Sequence, residues 1–200
     1  MQIFLIRHGQ KETNQNNPSL TALGQKQAQK TADYFSEIQI DNLLASPTTR
    51  TKQTAQFIAN KLNLPINLDH RLVERAEWVK NEIPWAKFVN IWEQASTTRN
   101  WQPPIGDSSS QAGNRIHQVI DQQYQNHQDK IVLVTHGGVI TDFLRNITSD
   151  QFLITNFFKN DQQLIDTQVS ECSITHLQKN DTDYQILSLF ETSHLIDTKD

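Results

Sequence analysis

The sequence predicts an α/β fold, a three-layer α/β/α sandwich around a mostly parallel central sheet with an inserted helical, Trp-rich region. Three observations predict it. Gln2 to Ile6 and Ile131 to Val134 are short, nearly unbroken apolar runs rich in Ile, Val and Leu, the pattern of strands buried on both faces. Strand-like and helix-like segments alternate through much of the chain. That alternation breaks from about Arg71 to Asp107, where all four tryptophans fall (Trp78, Trp85, Trp92 and Trp101).

After the first strand, a polar loop from Lys11 to Ser19 leads to a helix that Thr21 can cap, with Gly24, Ala28, Ala32 and Phe35 at helical spacing. Asn42 to Ala45 reads as a second strand. Ser46-Pro47 then signals a helix start, with Ser as N-cap and Pro at the first helical position, and places Arg50 in the first turn. Ala55, Ile58, Ala59 and Leu62 form the buried stripe of that helix, and Ile66 to Leu68 a short third strand. Within the insertion, Trp85, Phe88 and Trp92 share one helical face, and Pro103-Pro104 and Gly106 end it. Asp107 or Ser108 caps a long helix with the stripe Ala112, Ile116, Val119, Ile120 and Tyr124. Glu171 to Leu177 and Tyr184 to Phe190 flank the turn-like Asn180 to Asp183, the signature of a hairpin or two edge strands.

Two hundred residues fit one domain, residues 1–200, carrying the insertion at about 71–107. A net charge of −4 speaks against nucleic acid or an acidic membrane as partner, since such binders cluster an excess of Lys and Arg. Any anionic ligand must therefore be met by a local pocket. The single Cys172 has no internal disulfide partner, and the opening MQIFLIRHG lacks the basic and long apolar regions of a signal peptide, so a reducing cytoplasm is the expected location. No apolar run approaches the ~20 residues of a membrane helix.

LIRHG at Leu5 to Gly9 and LVTHGG at Leu133 to Gly138 each drive a strand into a histidine followed by glycine. In one parallel sheet, His8 and His136 would emerge together at the C-terminal edge, where open α/β sheets bind ligands. A neutral imidazole is a competent phosphorus nucleophile, with an ordinary pKa near ~6.5. Arg7 can offer a planar fork to phosphate oxygens. Gly137 and Gly138 open a helix through Val139, Ile140, Phe143 and Leu144, whose first amides suit an anion. Other chemistries lack their residues. A Cys-based phosphatase needs Arg six places after its Cys, and Gln178 stands there; neither a Walker A loop nor H-E-x-x-H occurs.

The chain resembles the histidine phosphatase superfamily, the phosphoglycerate mutase-like group named for its R-H-G motif. RHGQKETN at Arg7 to Asn14, SLTALGQKQA at Ser19 to Ala28 and LLASPTTRTKQTA at Leu43 to Ala55 are similar to its successive motifs. So are RLVER at Arg71 to Arg75, VTHGG at Val134 to Gly138 and ETSHL at Glu191 to Leu195, in the family's order. The resemblance implies a phosphohistidine on His8, with Arg7, Arg50, His136 and Gly137 around the transferring group and Asn14 adding a hydrogen bond. Glu74 would protonate the leaving oxygen and then activate water. It implies neither metal nor cofactor, and a small phosphorylated metabolite as substrate. Insertions in this family tend to form a lid over the pocket.

Gln10 replaces the acidic residue usual after R-H-G, and Arg75-Ala76-Glu77-Trp78 lacks the family's glycine-bearing continuation, which leaves Glu77 as a second candidate for the acid. The function expected is that of a metal-independent phosphatase acting on phosphate monoesters. A phosphoglycerate-type phosphomutase and a weakened phospho-ligand-binding regulator are the alternatives.

Overall fold

The computed structural model describes residues 1–13, 16–79, 82–157 and 169–198. Six strands form one sheet in the order β3-β2-β4-β1-β5-β6: β1 Gln2–Arg7, β2 Asn42–Ala45, β3 Ile66–Leu68, β4 Lys130–Thr135, β5 Ile174–Lys179 and β6 Tyr184–Glu191. The pairings β1 with β4, β2 with β4 and β2 with β3 are parallel, and β5 and β6 join antiparallel beyond β1. The expected mostly parallel α/β architecture is thus observed.

Alternation along the central strands builds two cores. Ile3, Leu5, Ile131 and Leu133 face α4 (Ser109–Gln125) and α5 (Gly137–Ile147), packing on Ile116, Ile120, Val139 and Phe143. Phe4, Ile6, Val132 and Val134 face α1 (Ala22–Tyr34) and α2 (Thr49–Leu62), packing on Ala32, Phe35, Ala55 and Ile58. Burying each large apolar side chain contributes about 1.5–3 kcal/mol. This holds β1 and β4 rigidly at the centre of the sheet, with the site at their C-terminal ends.

Thr21 caps α1 through the Gly24 amide at 3.0 Å, and Ser108 caps α4 in a capping box with Gln111. The start of α2 differs from expectation. Its N-cap is Thr48, two residues after Ser46, because the Ser46 amide bonds Val134 O at 3.0 Å and keeps that residue on the sheet edge. The fifth strand also begins later than Glu171. Cys172 adopts φ 54° and donates its amide to Arg7 O at 3.0 Å, turning the chain before Ile174 can pair.

Between β3 and α4 the described residues form a 3-10 turn at His70–Leu72 and α3 at Trp85–Thr97. Arg75 pins this stretch to the sandwich. Its buried guanidinium donates to both oxygens of buried Asp142 on α5, at 3.0 and 3.2 Å, and to Ser96 Oγ of α3 at 2.7 Å. It also lies 3.9 Å from the centroid of the Trp92 ring. Gly106 closes the stretch at φ 72°, where a Cβ would come 2.3 Å from Arg75 O. α6 (Asp150–Phe157) follows α5. Among the described residues, no helix is long and apolar enough to cross a membrane.

Candidate active site

Strand register puts the two histidines side by side. Arg7 of β1 pairs with Thr135 of β4, so the next residue on each strand emerges at the same edge, and the rings of His8 and His136 stand 5.3 Å apart. The His8 amide bonds Thr135 O at 3.0 Å, and Gly9 donates to Thr54 Oγ1 of α2 at 3.1 Å. A Cβ on Gly9 would lie 2.6 Å from Gly24 O, so glycine at both places lets α1 close against the strand end.

The polar contacts define the tautomers. His8 Nδ1 lies 2.8 Å from Gly9 O, an acceptor, and must carry the proton. His8 Nε2 accepts Arg50 Nε–H at 3.1 Å through its one lone pair, which fixes Nε2 as the unprotonated nitrogen. His136 is arranged the other way: Nδ1 accepts from Arg50 Nη2 at 3.0 Å, and Nε2–H donates to Ser46 Oγ at 3.0 Å. Burial, followed by the charge of Arg50, holds His8 well below its ordinary pKa. For His136, burial comes first, then the proximity of His8 and Arg50. Both rings are neutral near pH 7.

Arg50, only 3% exposed, links the two rings. Its Nη2 also meets a carboxylate oxygen of Glu77, while buried Nη1 has no hydrogen-bond partner among the described residues. A buried guanidinium N–H without an acceptor is costly, and an arriving anion would satisfy it. Arg7 is turned differently. Its Nη1 donates to Val169 O and its Nη2 to Glu171 at 3.1 Å, so it lines the pocket with two of its five N–H donors tied to the segment before β5.

Glu74 occupies the N-terminus of α5. Its Oε2 accepts from Gly138 N at 3.0 Å, and Oε1 from Val139 N and Arg75 N, each at 2.8 Å. Two of the amides expected to suit an anion therefore hold this carboxylate. Burial pushes its pKa up, against the lowering effect of the backbone donors and of Arg75. A Cβ on Gly138 would strike the Trp92 ring at 2.6 Å and Glu74 Oε1 at 2.7 Å, so this glycine makes room for both. At Gly137 an added Cβ would meet Arg7 at an ordinary 3.4 Å. Asn14 lies outside the described residues.

A pocket of about 500 Å³ is lined by His8, Arg50, Glu74 and His136 together with Lys11, Glu77, Glu93 and the aromatic side chains Trp78, Trp85, Phe88 and Trp92. Cys172 is buried beneath the site, and burial pushes its thiol up to about 12, which keeps it protonated and inert.

Residues 3–192 match the sequence profile of the histidine phosphatase superfamily, branch 1. The chain belongs to this superfamily. The chain is 30% identical to the probable phosphoglycerate mutase GpmB of Yersinia enterocolitica and 29% to that of Escherichia fergusonii. Each alignment spans 150 residues, 68% of this chain and 70% of the relative. Among solved structures, a mycobacterial glucosyl-3-phosphoglycerate phosphatase superimposes with a TM-score of 0.73 at 18% identity, covering 96% of this chain and 99% of that one. The alpha-ribazole phosphatase of Shigella flexneri gives 0.69 at 19% identity, covering 96% of each chain. At such identities the likeness shows the shared fold.

Three features of the site are not announced by the sequence. Ser46 orients His136, yet Ser before Pro carries an equally good helix-cap signal. The Arg75–Asp142 pair spans 67 residues, and no local pattern announces it. The contact of Glu77 with Arg50 is likewise long-range, although Glu77 itself stands out in RLVERAEW as a second carboxylate.

Proposed function

We propose that this member of the histidine phosphatase superfamily hydrolyses small phosphate monoesters through a phosphohistidine on His8. The observation that carries the reading is the His8 tautomer: Nδ1–H is tied to Gly9 O, which leaves Nε2 unprotonated at the pocket, where Arg50 Nε–H holds it in the absence of a phosphoryl group. A depressed pKa keeps Nε2 unprotonated at neutral and mildly acidic pH, so it can attack once Arg50 turns its N–H to the arriving phosphoryl oxygens.

In the first step His8 Nε2 attacks phosphorus, the P–O ester bond breaks, and the leaving oxygen takes the proton of Glu74. In the second, the Glu74 carboxylate removes a proton from water as the water oxygen attacks. The P–N bond then breaks, releasing inorganic phosphate and restoring neutral His8 and protonated Glu74. Arg50 supplies charge and an unmatched N–H to the phosphoryl oxygens, with Glu77 giving way. Arg7 adds positive potential from its tethered position. Neutral His136 spends its one N–H on Ser46, so it donates to the phosphoryl group only on gaining a proton, which a bound dianion favours. The positive charge comes from side chains, so the reaction needs no metal.

The mutase reading, favoured by the names of the curated relatives, differs only in what attacks phosphohistidine: a bound product hydroxyl in place of water. Phosphate release from monoesters in the presence of chelator, compared with His8→Ala, tests the proposal. Release by the parent chain alone is expected, and release surviving the substitution would remove His8 as nucleophile. Transfer to a phosphorylated sugar acid outrunning phosphate release would favour the mutase. Tight phosphate binding without either reaction would favour a regulatory protein.

A further inference from the structure

The side of the pocket away from His8 and Arg50 is lined by a cluster of aromatic rings. The ring of Trp85 stacks on Phe88 at 5.6 Å and 24° and meets the edge of Trp78 at 5.2 Å and 80°. Phe88 continues to Trp92 at 6.0 Å, and Trp92 closes against Gly138 and Glu74. The wall therefore runs unbroken from the acid to the pocket mouth, where Trp85 is 58% exposed. A large aromatic face left in water at the mouth of a functional pocket is the signature of a surface kept for a ligand.

The polar groups along the pocket sharpen this. The Trp78 indole N–H is already given to Ile83 O at 2.9 Å, so that ring offers a partner only its hydrocarbon surface. Among the described residues lining the pocket, the charged side chains interleaved with the aromatics are the carboxylates Glu77 and Glu93, whereas Arg7, Lys11 and Arg50 come from or lie next to the first strand and the first turn of α2. A leaving group carrying a carboxylate or a second phosphate would thus meet acidic and apolar neighbours. A flat one without negative charge would stack.

We propose that the preferred substrates are phosphate monoesters of planar, apolar alcohols without negative charge, held with the leaving group against Trp85 and Trp78, with buried Phe88 backing the Trp85 ring. The proposal rests on the phosphatase reading for where the phosphoryl group lies. Ethyl, benzyl and 2-naphthylmethyl phosphate test it alongside 3-phosphoglycerate, because the alcohols have comparable leaving ability and differ chiefly in their flat surface. kcat/KM is expected to rise roughly tenfold from ethyl to naphthylmethyl, with the glycerate ester no better than ethyl. Trp85→Ala should collapse the naphthylmethyl-to-ethyl ratio toward one, and Trp85→Phe should restore most of it. A ratio near one in the parent chain, a preference for 3-phosphoglycerate, or a Trp85→Ala variant that slows every ester equally would overturn the proposal.

The non-hydrolysable naphthylmethyl- and ethylphosphonates, titrated by tryptophan fluorescence, separate the wall from the chemistry. Naphthylmethylphosphonate should bind roughly tenfold more tightly. Equal affinities would overturn the wall, whereas tenfold tighter binding without turnover of any ester would overturn the catalytic reading alone.

Discussion

On the strand-end side of the pocket, His8, Arg50 and His136 are 4%, 3% and 1% exposed and bonded to one another, whereas on the opposite side Trp85 is 58% exposed and its ring meets Trp78 and Phe88. The first side is a closed polar network, in which each group determines the protonation or direction of the next. Its members should act as a unit, with losses that do not add. The second side rests on stacking, and each ring is a graded contribution. Conserving the reaction while changing the substrate would mean changing the second side only.

Substitutions can break that contrast, and the largest effect is expected from His8→Ala, which should lower kcat by about 10⁴-fold or more. Steady-state phosphate release with benzyl phosphate measures it. A loss as small as that of a wall variant would erase the distinction between the two sides.

Glu74→Gln comes next. For an alkyl ester whose oxygen must be protonated, the loss should be about 10²–10⁴-fold. For nitrophenyl phosphate it should be far smaller, because that leaving group departs without a proton. Equal losses on both esters would shift the acid role to Glu77.

The same residues predict the pH profile of kcat/KM. Protonated Glu74 donates, and its pKa is raised, so activity on alkyl esters is lost as pH climbs through that raised value. His8 must be neutral and its pKa is lowered, so activity persists on the acid side until well below pH 6.5. Glu74→Gln should flatten the alkaline limb and leave the acid limb in place.

The anchor between the two sides shows itself in stability. Arg75→Ala strands Asp142 inside the sandwich and should cost about 3–5 kcal/mol, read from denaturant midpoints. Trp85→Ala, which removes an exposed ring, should cost under about 1 kcal/mol.

How much of this was legible in the sequence follows from the same contrast. His8 and His136 sit where apolar runs end in His-Gly, and a parallel register then forces them together, so local pattern and sheet geometry suffice. Arg50 is readable because a helix begins just after β2, although Ser46-Pro47 suggests a start two residues early. Competition between a helix cap and a sheet-edge hydrogen bond decided that case, and only tertiary contacts resolve it. The aromatic side was visible as a cluster of tryptophans, but not as a wall. Its orientation depends on Arg75 reaching Asp142 and on Gly138 admitting Trp92, which are pairings between distant segments. Glu74 lies between these cases: the motif picks it out, while its seat on the amides of Gly138 and Val139 appears only in three dimensions.

The central claim is the covalent role of His8, and trapping the intermediate tests it most directly. Rapid mixing with a phosphorus-labelled monoester, alkaline quench and peptide mapping should place an acid-labile, base-stable label on Nε2 of His8, appearing and decaying at rates compatible with turnover. Turnover with no label on His8, or with the label on another residue, would contradict the account.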